Sequence, residues 1–451
     1  MVNLPGRHFF FFAFLLSSGG LVAAPQATTS GDVLTLDQAI SNAVANSRPL
    51  KIGNLETKKI EDRITATLTK RRPSSNLYFF GAQLLNDLNF TYRAGQFGTF
   101  ASTGPVPPEN TQVGTSRRPI GLAMVQIDQP ISQLSKINLS VLAQKLEIDA
   151  NQEKMRQQRL ELTHQVRRTY YQILQKETAL ESSEEVSKQY AELDRFMTVS
   201  VNGQTALRSD ALEVKALIAQ EDYNKVMLRN AIDEHKEALN HLMGRDLRTP
   251  FRTQRVADMT PAELDLAGAQ ARAIALRPEI KQAELRIKQA DYDRQLKKEE
   301  NKPELSLSFR YISPFNMETL PKNFSAIGFS LSWNPWDWGR KKAELSEKDR
   351  TLEQTGESLM ETRNQILAEV SQRFRKLEET RAIFAVIQVQ QEAGREKVRV
   401  VQEQYAAKTA LLKEVLQVQV SLSEVNQRYQ QALLNFWAAK ADFEKAIGAG
   451  Q

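Results

Sequence analysis

The chain contains no cysteine in its 451 residues. An exported protein so composed has no disulfide, no thiolate metal site and no lipid-bearing N-terminal cysteine, so its stability rests on packing or assembly. A strong charge of either sign is also missing: 60 basic residues against 54 acidic ones leave a formal +6. The basic tracts KRRP (70–73), SRRP (116–119) and GRKK (339–342) are short, and no nucleic acid is expected as a partner. Past the N-terminus no run reaches the roughly 18 apolar residues that a membrane-spanning helix needs. There is no phosphate-binding glycine loop and no nucleophile elbow, so no enzyme is expected. Glu234, His235, Glu237 and His241 lie close in sequence, and Glu237 with His241 has the i, i+4 spacing that can share a metal. A helical surface charge pair is the plainer reading; neither metal nor cofactor is expected.

What is present begins at the N-terminus. Arg7 and His8 precede the apolar run FFFFAFLL (9–16) and small residues up to Ala24, the layout of a secretory signal peptide over 1–24. With 41% hydrophobic residues the remainder is too polar to be all compact core, which points to an elongated molecule. It is also duplicated. A shift of 230 lays LTLDQAISNAV (34–44) on LDLAGAQARAI (264–274) and pairs Pro73 with Pro303; further along, a shift of 204 pairs Val166 with Val370 and Gly244 with Gly448. The lost residues fall between Phe79 and Val125, where a segment over 86–116 rich in Gly, Pro, Ser, Thr and Asn reads as a loop, longer in the first repeat.

Each repeat reads as helix, strand, loop, strand, very long helix, turn, helix. The first repeat, 25–247, is expected to hold a helix over 36–70, strands over 76–85 and 118–128, a long helix over 131–199 and a helix over 206–243. A mid-height linker covers 248–262. The second repeat, 263–451, is expected to hold a helix over 265–300, strands over 304–312 and 324–333, a long helix over 337–404 and a helix over 411–447. In the strands Leu305, Leu307, Phe309 and Tyr311 alternate with Ser306, Ser308 and Arg310, and Ile327, Phe329, Leu331 and Trp333 alternate with small residues, as in tilted membrane-barrel strands. The long helical stretches are nearly free of proline and glycine. Leu345, Leu352, Leu359 and Ile366 recur every seventh residue, and Val415 to Phe443 step by three and four, which is a coiled-coil seam.

At the end of the last strand, SLSWNPWDWGRKK (330–342) gathers Trp333, Trp336 and Trp338 ahead of Arg340, Lys341 and Lys342. Tryptophan favours the membrane–water boundary because its ring is apolar while its N–H wants a polar partner. The cluster is expected at that boundary, with the cations at headgroup depth. A buried aromatic plug between helices is the alternative.

The segments LTLDQAISNAVANSRP and ALRPEI, the junctions QPI (129–131) and NPWDWGRKKAEL (334–345), and the turns NGQTALRSDALE (202–213) and AAKTALLKEVLQ (406–417) occur in the order found in the TolC family of outer-membrane channel proteins, which the chain resembles after its signal segment. The resemblance implies a mainly α fold with a membrane β-barrel: a homotrimer giving four strands per chain to a twelve-stranded barrel, continued by a periplasmic coiled-coil tunnel. It implies an exit duct of a tripartite efflux or type I secretion system, working with a periplasmic adaptor and an inner-membrane transporter and seated among outer-membrane lipids. The turns Asn202, Gly203, Gln204 and Ala406, Ala407, Lys408 would dock the adaptor. By position Asp210, Glu213, Glu414 and Gln417 would line the periplasmic mouth, with Gln417 a departure that leaves one carboxylate after the second turn. Helix capping by these acids is the alternative there. As whole-protein alternatives, a periplasmic adaptor would need only one helical hairpin, and a structural coiled coil has no use for the strands.

Overall fold

The computed structural model describes residues 33–115, 117–204, 207–256, 265–317, 322–407 and 409–449. The expected signal segment 1–24, the end of the linker at 257–262 and Lys408 lie outside them. Each half of the chain runs through two short helices, two sheet strands, a long helix and a returning helix, and the first half adds four further strands between its two sheet strands. The first contains β1 (Val33–Leu34), α1 (Leu36–Asn46), α2 (Arg48–Thr69), β2 (Ser74–Gln83), β3 (Leu88–Tyr92), β4 (Thr99–Phe100), β5 (Gly104–Pro105), β6 (Thr111–Thr115), β7 (Pro119–Pro130), α3 (Leu134–Asn202) and α4 (Arg208–Leu242). After β8 (Arg252–Thr253), the second contains α5 (Leu266–Leu276), α6 (Pro278–Glu299), β9 (Glu304–Phe315), β10 (Phe324–Ser332), α7 (Arg340–Ala406) and α8 (Leu412–Ala446). No helix among the described residues is long and apolar enough to cross a membrane.

Two expectations are corrected. The single helices expected over 36–70 and 265–300 are each two. Arg277 adopts ψ 122 directly before Pro278, because a proline ring clashes with a helical residue in front of it. In the first repeat Ser47, at ψ 117, makes the same break and accepts a hydrogen bond from the Leu50 N–H, while Pro49 stands in the first turn, where its missing N–H costs nothing. The loop over 86–116 is not featureless either. It is an extended hairpin in which β3 pairs with β6 and β4 with β5, and Gly95, Gly98 and Gly104 take positive φ at its reversals.

The repeats converge at mid-height. Val166, Tyr170 and Ile173 of α3 pack on Ala39 and Ala43 of α1, and Ile366 and Val370 of α7 pack on Ala269 and Ala273 of α5 and Phe436 of α8. Alanine on the short helices lets the long ones approach closely. The Tyr170 hydroxyl donates to Leu34 O at 2.8 Å and accepts from the Gln254 N–H at 2.8 Å, stitching the parallel β1·β8 pair to α3. Burial pushes the neighbouring Tyr171 hydroxyl up to about 12. From this level α3, at 69 residues or about 100 Å, and α7, at 67, run in both directions. No proline or glycine interrupts α3, whereas α7 contains Gly356 and Gly394. A Cβ on Gly394 would sit 3.2 Å from the Leu422 side chain of α8.

Both returning helices end alike. Gly244 (φ 67) follows α4 and Gly448 (φ 71) follows α8; a Cβ on the first would lie 3.1 Å from Asn46, and on the second 3.2 Å from Leu276. Each repeat thus folds its helix end onto the break in front of its own rising helix. Gly448→Ala should cost about 1–3 kcal/mol, from the left-handed backbone and the missing space. Gly356→Ala, in a helix interior with nothing within 4 Å, should stabilise by up to about 1 kcal/mol. Thermal unfolding of the two variants checks this, and equal responses would sink the argument.

The four-stranded sheet has the order β10-β9-β7-β2, antiparallel throughout. Its register sorts the two faces, since residues directly opposite point the same way. One face carries Leu77, Val125, Tyr311 and Ser325 in one row and Ser75, Ile127, Phe309 and Ile327 in the next, so that six of these eight are aliphatic or aromatic. The other face carries Asn76, Gln126, Arg310 and Ala326, then Ser74, Asp128, Ser308 and Gly328. The Asp128 carboxylate accepts from Ser308 Oγ at 2.5 Å and Gln126 Nε2 at 2.7 Å. Phe309 is 36% exposed while Ser308, bonded to Asp128, is 8%; closure of such a sheet into a membrane barrel makes the apolar face the outer, convex one and the polar face the inner, concave one.

Candidate functional site

Three places along this framework concentrate polar chemistry or exposed aromatic surface. The first is the β10–α7 junction. Trp333, Trp336 and Trp338 are 56%, 85% and 104% exposed, so no aromatic plug forms in this chain. Trp338 (φ 57) and Gly339 (φ 87) are consecutive left-handed residues, a conformation rare for a bulky side chain. Asp337 holds them: its carboxylate accepts from the Gly339 N–H at 3.2 Å and the Lys341 N–H at 2.9 Å, capping α7 and turning the indole outward. Lys341 Nζ donates to Asn334 O at 2.7 Å, and Arg340 pairs with Glu344 at 3.0 Å. Sequence reading found the tryptophans and missed Asp337; the signal was an aspartate two residues before a glycine at a helix start.

At the opposite end of the long helices lie the two tips. Asn202 and Ala406 are the last residues of α3 and α7 rather than turn residues; Gly203 and Ala407 follow as caps, and Gln204 is left-handed at φ 58. Leu207 and Leu411 occupy the N-cap positions of α4 and α8 in extended conformation, 69% and 68% exposed. Neither has a side chain that can cap. Glu414, at the third helical position, makes only the reciprocal half of a capping box: its Oε2 accepts from the Leu411 N–H at 3.0 Å. Asp210 sits in the first turn of α4 and accepts from Ser209 Oγ at 3.3 Å. Glu213 and Gln417 are exposed one turn further on. The four expected mouth residues therefore share one end of the molecule, with Glu414 bonded to its own helix start.

The third place, at mid-height, was invisible in the sequence. Arg277, between α5 and α6, is buried and paired with Glu279 at 2.9 Å and Glu369 of α7 at 3.0 Å; its Nη1 also reaches Lys445 O and Ala446 O at the end of α8. Nearby, Asp442 of α8 takes His164 of α3 at 2.6 Å and Arg373 of α7 at 2.9 Å. Burial alone would lift the Asp442 carboxyl, but the His164 hydrogen bond and the charges of His164 and Arg373 outweigh it and hold it below the usual aspartate range. Arg277 with Glu369, and Asp442 with His164 and Arg373, are brought together only by folding, so no local spacing signals either group. Glu237 and His241 gain no companions: among the described residues no group of three or more His, Cys, Asp or Glu could hold a metal ion.

Comparison with known proteins gives a consistent result. The comparison with curated proteins returns no match. Among solved structures, the chain is similar to the Campylobacter jejuni CmeC outer membrane channel, with a TM-score of 0.73, 13% identity, and coverage of 100% of this chain and 94% of that one. It is also similar to the outer membrane protein VceC from Vibrio cholerae, at a TM-score of 0.69 and 14% identity over 92% and 96% of the two chains. The open state of the Neisseria gonorrhoeae MtrE outer membrane channel gives a TM-score of 0.70 at 17% identity over 92% and 89%. At these identities the likeness concerns the fold. The family model for outer membrane efflux proteins matches residues 81–245 and again 270–449, once in each repeat. With its duplicated strand–helix plan matched once in each repeat, the chain belongs to the outer membrane efflux protein family, channels of the outer membrane with a large periplasmic helical portion.

Proposed function

We propose that three copies of this chain close one barrel and form the exit duct of a tripartite efflux or type I secretion system. Substrates would pass from an inner-membrane transporter through a periplasmic adaptor to the outside. The observation that carries the reading is the pair of open edges: β2 and β10 end the sheet with unpaired outer edges while its convex face is apolar. Open edges are not tolerated in lipid, and four strands cannot close on themselves. Pairing β10 of one copy with β2 of the next resolves both problems.

In that assembly Trp333, Trp336 and Trp338 sit at the periplasmic rim of the barrel, with Arg340 and Lys341 against lipid headgroups. Serine at both Trp333 and Trp336 should lower trimer yield in outer-membrane fractions several-fold, whereas tyrosine at both should preserve it. Equal yields would defeat the belt. The tips, with Leu207 and Leu411 exposed beside Gly203 and Ala407, offer the adaptor two similar knobs per copy; Asn202, Gln204 and Ala406 flank them.

Threefold repetition of Asp210 and Glu414 at the tunnel mouth would crowd carboxylates into a ring that favours cations at low salt. Single-channel recording in planar bilayers tests the duct and the ring together. The wild-type protein should conduct, and Asp210→Ala with Glu414→Ala should reduce its cation preference. A protein that inserts without conducting would refute the duct; unchanged selectivity in the variant would reduce the acids to helix caps.

A further inference from the structure

The concave face of the sheet changes character along its height. Above the polar rows that contain Asn76, Gln126 and Arg310, the register brings Tyr78, Met124, Ile312 and Phe324 into one row, and Phe80, Leu122 and Pro314 into the next. Lipid cannot account for these residues, because they point away from the convex apolar face. The interior of a membrane barrel is ordinarily polar. Nor does the β3–β6 hairpin cover them: Tyr78, Phe80 and Phe324 remain 49%, 60% and 51% exposed. Directly beneath, Arg310 is exposed and no described hydrogen bond or ion pair engages its guanidinium. The carboxylate one row lower, Asp128, is already taken by Ser308 and Gln126.

We infer that the upper barrel lumen is a binding site for small amphiphilic organic anions in transit. The inference rests on the trimeric channel reading above. An apolar tail would lie against the aromatic rows while its anionic group meets Arg310, which offers a planar, permanently charged fork suited to a carboxylate or sulfate. From Arg310 to Pro314 is about 14 Å along the strand, a distance that matches a medium-length acyl chain. Three copies would surround the lumen with three such sites at one level. A purely polar solute meets no such complement. An amphiphilic cation has the tail contact but is opposed by Arg310.

The test is single-channel recording of the purified trimer with sodium decanoate in both chambers, and sodium acetate and decyltrimethylammonium as comparisons. Decanoate should interrupt the current in discrete closures that acetate does not produce and that the cation produces at least tenfold more briefly. Arg310→Gln should shorten the decanoate closures at least tenfold, and so should Phe80→Ser; Arg310→Lys should retain most of their duration. Closures of wild-type length in both Arg310→Gln and Phe80→Ser would overturn the site, as would closures of equal length with decyltrimethylammonium. A wild-type trimer that conducts normally but is never interrupted by decanoate overturns the site alone. One that inserts and passes no current overturns the channel and the site with it.

Discussion

Phe329→Lys is expected to abolish assembly in the outer membrane, while Ser330→Lys, one residue along the same strand, should leave it largely intact. The two side chains point to opposite faces: Phe329 stands opposite Leu307 on the convex apolar face, Ser330 opposite Ser306 on the concave one. A lysine placed at mid-depth against lipid costs about 2–4 kcal/mol, and three copies in one barrel bring the total to about 6–12 kcal/mol, comparable to the whole stability of an ordinary domain. On the concave side the same charge is hydrated. The measurement is the yield of heat-modifiable trimer in outer-membrane fractions, with more than a tenfold loss for the first variant and less than a twofold loss for the second. If both variants assemble, or both fail, the assignment of faces is wrong.

The second large effect belongs to Arg277. Arg277→Ala should destabilise the protein by about 3–5 kcal/mol, because it strands two carboxylates and the terminal carbonyls of a helix at once. The side chain is only 8% exposed and serves Glu279, Glu369, Lys445 O and Ala446 O. Arg277→Lys should recover only part of that loss, since one ammonium cannot reach acceptors spread around a planar fork. Urea unfolding of the detergent-solubilised protein gives the comparison. A loss below about 1 kcal/mol for the alanine variant would mean that water or a neighbouring cation replaces the guanidinium, and that the junction of α5, α6, α7 and α8 is held by packing alone.

These two residues illustrate what the chain discloses before it folds. Phe329 was readable, because a strand face has a period of two and lipid demands that every second residue be apolar. The duplicated helices were readable for a similar reason: length, heptad spacing and the shifts of 230 and 204 are one-dimensional quantities. Arg277 was not, although ALRPEI was conspicuous as an echo of the first repeat. Apart from Glu279, its partners lie 92 to 169 residues away and the interaction has no period. The breaks at Ser47 and Arg277 were available in principle from Pro49 and Pro278, but a strong helical pattern on both sides hid them. The aromatic rows above Arg310 were concealed by chemistry: NLYFFGAQLL is apolar on both faces, so alternation alone could not say which side met lipid. Only pairing with β7, whose Gln126 and Asp128 mark the polar face, separates Leu77 and Phe79 from Tyr78 and Phe80.

The two glycines of α7 have a mechanical meaning. α3 and α7 are rods of nearly equal length, yet only α7 contains residues without a Cβ, and each such residue raises the local cost of holding helical geometry by about 1 kcal/mol. Gly394 lies in the last quarter of α7, where a Cβ would come 3.2 Å from the Leu422 side chain. The α3–α4 hairpin is therefore the stiff limb of each copy and the α7–α8 hairpin the compliant one, with its softest point a few turns short of the tip. A force applied at the tips would not be shared evenly. Bending would gather at Gly394, and the uninterrupted rod of the first repeat would serve as the fulcrum against which the second repeat swings.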